Sequence, residues 1–245
     1  MDRRVSSSKE EALPSGTAPE RRRLEGRLVI AEPLHPEQHA APLFQASHET
    51  AEARRIWDYL PDGPFEHLSG FEAWLSAMTA NPDRCVFAFR DKPSGRAGGM
   101  ATYLDIRPAH GAIELGYIWF APSLQRTPSA TEALFLMLRH AFDDLKYRRM
   151  QWRCNALNEK SRAAALRLGF TYEGLFYQHM VVKGYNRDTA WYSILDSEWP
   201  RIRANFEAWL APGNFDEQGQ QKQSLRAMNA GVRERLGFSA VSDHL

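Results

Sequence analysis

The 245-residue sequence has few cysteines, little excess charge and no long apolar run. Two cysteines, Cys85 and Cys154, are too few for a disulfide scaffold and suit a reducing compartment. No apolar stretch is long enough to span a bilayer, and the segment after Met1 lacks the apolar core of a signal peptide. A net charge of +1 gives no electrostatic reason to expect nucleic acid or an anionic membrane as a partner. We therefore expect a cytoplasmic protein that binds neither.

Metal-ligand spacing is also missing. His140 lies in a predicted helix, and no second ligand stands at the spacing that zinc sites use. The sequence therefore implies no metal.

Composition divides the chain into three parts. Residues 1–25 have almost no apolar side chains, which predicts a disordered tail. Residues 26–200 alternate apolar strands with amphipathic helices and form one predicted domain. Residues 201–245 are predicted to be a C-terminal helical extension, in which residues 211–223 are polar and loose.

The most informative stretch covers residues 113–174. An apolar strand over residues 113–120 stops at Pro122, and a short turn then opens an amphipathic helix over residues 129–146. Such an order places backbone N–H groups and a positive helix end just past a strand, where a phosphate can bind. Two caps fit the helix start: Thr127 followed by Pro128, or Ser129 with Glu132 as a capping box.

A second helix start follows at Asn158, a good N-cap residue, with Ser161 in its first turn. The helix ends at Leu168-Gly169-Phe170, where Gly169 suits the left-handed position after a helix. Glu173-Gly174 comes next.

In this order and spacing the two turns resemble the signature of the GNAT acetyltransferase superfamily, in particular its ribosomal-protein-alanine N-acetyltransferase branch. The resemblance implies an α+β GNAT fold, with a central, mixed but mostly antiparallel twisted sheet flanked by helices in three layers. It implies acetyl-CoA as co-substrate. The implied cofactor-binding residues are Leu124, Gln125, Arg126, Thr127, Pro128, Ser129, Ala130, Thr131, Asn158 and Ser161.

The chain departs from the family pattern at two places. Arg126 and Pro128 stand where the family usually has glycines that let the backbone close on the CoA pyrophosphate. Proline lacks an N–H, and arginine does not easily adopt the positive φ of glycine, although its guanidinium suits phosphate. Ala165 stands where many relatives have a tyrosine acid.

The resemblance implies a general base on the strand before the phosphate turn. Glu114, the only carboxylate on that strand, is the candidate, acting directly or through water. The alternative is a solvated or ion-paired strand carboxylate with no catalytic role. Ser161 is the remaining hydroxyl for the leaving thiolate, with Tyr117, Tyr177 and His179 as weaker alternatives. Strand alternation predicts two faces. One holds Ala112, Glu114, Gly116, Ile118 and Phe120, and the other holds Ile113, Leu115, Tyr117 and Trp119.

The resemblance implies that the early helices and their loop border the acceptor groove. The aromatic-rich connection there makes Trp57, Tyr59 and Phe65 substrate-binding candidates, with Tyr117 as a further one, and packing in the core is the alternative for these aromatics. The resulting hypothesis is an N-acetyltransferase acting on a small-molecule amine or a protein N-terminus in a ternary complex, with a homodimer left open. The alternative is a non-catalytic acyl-CoA sensor or scaffold of the same fold.

Overall fold

The computed structural model describes residues 16–232, which form one eight-stranded sheet with helices on both faces. The strands are β1 (Leu24–Glu25), β2 (Val29–Pro33), β3 (Cys85–Asp91), β4 (Ala97–Arg107), β5 (Ala112–Phe120), β6 (Arg149–Asn155), β7 (Thr171–Val182) and β8 (Tyr185–Leu195). The helices are α1 (Pro36–His48), α2 (Ala51–Arg54), α3 (Leu68–Ala80), α4 (Pro128–Arg139), α5 (Glu159–Arg167), α6 (Trp199–Leu210) and α7 (Leu225–Asn229). A π-helical turn, His140–Asp144, extends α4.

The strand order is β1-β2-β3-β4-β5-β6-β8-β7. Neighbouring strands are antiparallel throughout, except that β5 and β6 run parallel. A parallel pair needs a crossover, and α4 supplies it.

Two apolar cores lie on opposite faces of the sheet, as the period of two along a strand requires. Phe87 and Phe89 of β3 pack with α4 and α6 in the larger core. Val86 of the same strand and Met100 of β4 pack with α1 and α3 in the smaller one. The predicted three-layer α+β architecture, with a mostly antiparallel sheet, is therefore confirmed.

The first described residues are ordered against the sheet, so the disorder predicted for residues 1–25 is wrong for residues 16–25. β1 pairs with β2 in register Leu24↔Ala31. The Arg22 guanidinium contacts Asp144 and lies 3.0 Å from Nδ1 of His140. Residues 16–25 have few apolar side chains, and backbone hydrogen bonds and ion pairs hold this segment against the rest of the domain. Residues 1–15 lie outside the described residues.

The sequence predicts a loop over residues 35–43 and a helix over residues 46–59, but α1 spans Pro36–His48. Proline is compatible with the first helical turn, where Pro36 stands, because the N–H of that position has no helical partner. A 3₁₀ turn, Arg55–Trp57, then follows α2.

The C-terminal part packs on the main domain. Phe206 of α6 stacks on Phe135 of α4 with ring centroids 5.0 Å apart, so the predicted boundary at residue 201 falls inside a helix that belongs to the larger core. Residues 211–223 are not loose, because Asn214 donates to the carbonyls of Trp209 and Gln223. The sequence predicts a last helix over residues 224–236, and α7 spans Leu225–Asn229 of that range. Residues 233–236 lie outside the described residues. Across residues 16–232 no helix has the length and apolarity needed to cross a membrane.

Candidate active site

The parallel strands β5 and β6 separate at the centre of the sheet. They pair only at Ala112↔Arg149, Ile113↔Met150 and Glu114↔Gln151. Beyond Glu114, β5 stays paired with β4 as far as Phe120, and β6 stays paired with β8 as far as Asn155. The unpaired ends leave a gap in the sheet, and α4 and α5 both begin just beyond it.

A β-bulge lies at the start of this gap. Met100 of β4 is opposite Trp119 and Thr102 is opposite Gly116, so β5 has one extra residue here. Tyr117 has a positive φ of 49°.

The bulge changes which side chains share a face. Trp119 joins the smaller core and Tyr117 packs on Trp74 of α3, whereas Phe120 stacks on Phe89 in the larger core. The predicted alternation is therefore correct up to Gly116 and wrong beyond it. Tyr117 lies on the same face as Glu114.

The turn before α4 is closed by its own hydrogen bonds. The N–H groups of Leu124 and Gln125 donate to the carbonyl of Ala121 at 2.8 and 3.0 Å. Thr127 is the N-cap: its hydroxyl oxygen accepts from the N–H of Ala130 at 3.2 Å, and Pro128 occupies the first helical turn.

Of the two predicted caps, the structure therefore has Thr127 with Pro128. Glu132 does not form a capping box with Ser129. Its buried carboxylate accepts from three successive backbone N–H groups, those of Arg27, Leu28 and Val29, at 3.0, 2.6 and 2.9 Å. The helix thereby fixes the entry to β2.

Arg126 adopts a φ of 62°, so the left-handed conformation that the family obtains with glycine is present here with a side chain. The expectation that arginine would avoid this φ is wrong. The guanidinium is exposed. Among residues 16–232 no backbone or side-chain acceptor binds the N–H groups of Arg126, Thr127 or Ser129, and these donors lie at the positive end of α4.

The start of α5 is built as the sequence predicts. The Asn158 side chain accepts from the N–H of Ser161 at 3.0 Å, and Gly169 closes the helix with a φ of 96°. The Ser161 hydroxyl oxygen accepts from the indole N–H of Trp152 at 3.0 Å. The bond to Trp152 orients the Ser161 hydroxyl, which also has a hydrogen bond with the side chain of Cys154.

Glu114 is 4% exposed and forms an ion pair with Arg153 of β6. The Arg153 guanidinium also contacts Asp105 at 2.9 Å and lies 4.9 Å from the ring centroid of Trp191. Burial raises the pKa of Glu114 above the usual range of a glutamate, and the hydrogen bond and charge of Arg153 offset only part of that rise. Glu114 is therefore a carboxylate with increased proton affinity beside the gap.

The aromatic candidates lie in different places. Trp57 is fully buried in the smaller core, with Phe65 at a centroid distance of 5.4 Å. Tyr59 is 41% exposed. The Tyr117 hydroxyl donates to Asp62 at 3.1 Å, and burial raises the pKa of Tyr117 to about 12. The structure thus brings Trp57, Phe65 and Tyr117 into one cluster, with Trp57 in its interior.

Sequence reasoning did not identify Arg153, Arg187 or Trp191. Arg153 is opposite Trp191 in the β6–β8 register, and the face that they share with Glu114 is defined only by strands distant in sequence. β6 alternates polar and apolar residues, so Arg153 does not stand out from the other polar residues of that strand.

Comparisons with known proteins agree with this geometry. A GCN5-related N-acetyltransferase from Brucella melitensis is 46% identical, with a TM-score of 0.85, over 88% of this chain and 97% of that one. A probable acetyltransferase of the GNAT family from Chromobacterium violaceum is 43% identical, with a TM-score of 0.71, over 76% and 92%. YdaF of Bacillus subtilis, whose name assigns it provisionally as a ribosomal N-acetyltransferase, is 31% identical over 105 residues. That match spans 43% of this chain and 57% of YdaF.

The family profile described as the acetyltransferase (GNAT) domain matches residues 27–171. These residues include the bulged strand β5, the turn before α4 and the whole of α5. The chain belongs to the GNAT acetyltransferase family.

Proposed function

We propose that the protein transfers an acetyl group from acetyl-CoA to a primary amine, in a ternary complex of both substrates. The observation that supports this most directly is the gap between β5 and β6, with the N-termini of α4 and α5 beyond it. The turn before α4, at one end of the gap, has backbone N–H donors that can bind an anion. The face of the sheet that includes Glu114 has a carboxylate that can accept a proton from the amine.

The turn before α4 fits a CoA pyrophosphate. The N–H groups of Arg126, Thr127 and Ser129 bind no acceptor among the described residues, and the exposed Arg126 guanidinium adds a positive charge. Pro128 removes one further donor from this turn. Leu124, Gln125, Ala130 and Thr131 complete the proposed cofactor turn, and Asn158 borders it from α5.

The chemistry assigned to the side chains is proton transfer and charge stabilisation. Glu114, directly or through a water, accepts the proton that the amine loses as its nitrogen forms the bond to the acetyl carbon. The carbon–sulfur bond breaks, and the Ser161 hydroxyl donates a hydrogen bond to the sulfur that receives the electron pair. The raised pKa of Glu114 favours this role, because a stronger base removes the amine proton more readily.

The acceptor is proposed to be a small amine or a protein N-terminus, and the provisional name of YdaF favours the second. Tyr59, Phe65 and Tyr117 are proposed to border the acceptor groove, with Trp57 supporting them from the core. A cytoplasmic location and a homodimer remain predictions.

A binding module without turnover is the second candidate. It is favoured by the residues that replace family residues at the site: Arg126 and Pro128 for glycines, and Ala165 for a tyrosine. Ser161 would then be a serine in the first turn of α5, with no catalytic role.

Thiol release from acetyl-CoA by the full-length protein separates the two candidates. The panel contains amines, polyamines, amino acids and N-terminal peptides, with Glu114→Gln as the comparison variant. Transfer to at least one class, strongly reduced in Glu114→Gln, supports the enzyme. Tight acetyl-CoA binding in calorimetry with no transfer to any amine would instead support the binding module.

A further inference from the structure

Two hydrogen-bond donors on β8 have no acceptor. Nε of Arg187 and the indole N–H of Trp191 are buried without a partner among residues 16–232. No ion pair in that part of the chain includes Arg187. Both groups can only donate, so a partner for them must supply acceptor atoms. Buried donors of this kind are costly, and they are rare in folded proteins.

The two side chains lie on the reacting face of the sheet. Trp191 is opposite Arg153, which contacts Glu114, and Arg187 shares the Trp191 face because the residues are four positions apart along β8. The charge of Arg187 interacts with the Glu114 and Tyr117 side chains. Arg187 therefore faces the place where β5 and β6 separate.

On this face of the sheet α1 packs on β4 and α3 packs on β3. The tip of the β7–β8 hairpin reaches back to the helical side, where Nζ of Lys183 donates to the Trp57 carbonyl at 2.8 Å. The hairpin tip thus contacts the helical side, and Arg187 lies on the same face of the sheet as Glu114.

Arg187 differs from its neighbour Arg153 in how its charge is balanced. Arg153 contacts Glu114 and Asp105 and stacks on Trp191. Arg187 is half-buried with no contacting carboxylate, and burial lowers its pKa. A half-buried cation without a partner opposes folding. Its presence is explained if a bound anion supplies the missing acceptor atoms.

We infer that the acceptor has a carboxylate near its amine and that Arg187 binds this carboxylate, with the Trp191 indole N–H as a second donor. This inference rests on the proposed acetyl transfer to an amine. A carboxylate fits better than a phosphate, because Arg187 lacks one contacting carboxylate, whereas the other nearby cation, Arg153, already contacts two. Amino acids and peptides with an acidic residue near the N-terminus are acceptors of this class.

The test uses acceptors that differ only in the carboxylate. Glycine is compared with glycinamide, and an N-terminal Ala-Asp peptide amide with the Ala-Asn peptide amide. The variants are Arg187→Gln, Arg187→Lys and the control Arg148→Gln, an exposed arginine just before the opposite end of β6. The wild type should prefer the acidic acceptor of a pair by about tenfold or more in kcat/KM, mainly through KM.

Arg187→Gln should reduce that preference to within about twofold, while Arg187→Lys retains part of it and Arg148→Gln all of it. The dissociation constant of acetyl-CoA should be the same in all four proteins. The melting temperature of Arg187→Gln should equal or exceed that of the wild type, since the lost cation has no partner. A fall in melting temperature would indicate a structural role and count against the inference.

Binding is measured in parallel because it needs no turnover. N-acetylglycine and its amide are titrated into the CoA complex by calorimetry. If the wild type binds N-acetylglycine more tightly than its amide and Arg187→Gln does not, the inference is supported. This holds even if no amine is acetylated; that outcome would refute only the proposed transfer. Transfer without any preference for acids, or a preference that persists in Arg187→Gln, overturns the inference and leaves the proposed transfer in place.

Discussion

Replacing Glu114 by glutamine tests the proposed base most directly. The variant keeps the size and one hydrogen-bond acceptor of a side chain that is 4% exposed, but it removes the charge and the basicity. General bases contribute about a hundredfold to ten-thousandfold. We expect the lower value, because the ion pair with Arg153 offsets part of the rise in pKa that burial of Glu114 causes. The predicted loss of kcat/KM is about a hundredfold, or about 2.7 kcal/mol of transition-state stabilisation.

The pH profile gives a second readout. The base acts when it is deprotonated, so the rate should fall as the pH drops through the pKa of Glu114. Burial raises this pKa, and the acidic limb of kcat/KM should therefore lie above 4.5, the ordinary value for a glutamate. In Glu114→Gln that limb should be absent.

The structure offers a matched control for the loss of the ion pair. Asp105 is the other carboxylate on Arg153, with a contact of 2.9 Å, and it has no assigned role in proton transfer. Asp105→Asn should keep kcat/KM within about threefold, and either variant should lower the free energy of unfolding by about 1–3 kcal/mol. An equal loss of turnover in both variants would refute the base assignment and leave Glu114 as a positioning residue for Arg153. Wild-type turnover of Glu114→Gln across the pH range would refute both roles.

Three further predictions address the remaining site and its support. Arg126→Glu should weaken CoA binding in calorimetry by about tenfold or more. Arg126→Gly should weaken it less, because glycine suits the φ of 62°. Equal CoA affinities of the wild type and Arg126→Glu would show that this turn is not part of the CoA site. Ser161→Ala should lower turnover by about tenfold to a thousandfold with acetyl-CoA affinity nearly unchanged, because charge develops on sulfur only in the transition state; a loss of affinity alone would make Ser161 a cofactor contact. Glu132→Ala should lower the free energy of unfolding by about 3 kcal/mol or more, since three N–H groups lose a charged acceptor; a loss below about 1 kcal/mol in urea unfolding would contradict this.

The sequence was a good guide where local rules decide the structure. The strand over residues 113–120, the caps at Thr127 and Asn158 and the left-handed Gly169 all follow from side-chain periodicity and terminal residues. These features depend on neighbours within a few positions of the chain. They also include the residues on which the family resemblance was based.

The sequence was a poor guide where distant segments decide. The bulge at Tyr117 exists only because β4 and β5 differ by one residue in their pairing, and it reverses the faces beyond Gly116. Glu132 fits a capping box locally, but its carboxylate binds the backbone of residues 27–29. Trp57 stands next to a turn and still lies fully buried. In each case a tertiary contact overrides an equally valid local interpretation.

The single parallel pair explains why the candidate site lies at this position of the sheet. Within residues 16–232, β5 and β6 are the only neighbouring strands whose carboxyl ends point the same way. Two following helices, α4 and α5, can therefore begin at one opening there. The antiparallel hairpin of β7 and β8 then adds a wall on the face of Glu114 without sharing the turn before α4. The backbone donors proposed for CoA thus lie in the turn before α4, whereas the side chains proposed for the acceptor lie on the strands. Substitutions at Arg126 should accordingly change the KM of acetyl-CoA alone, and substitutions at Arg187 that of the acceptor alone. Coupled changes in both constants would show that the two binding regions are not independent.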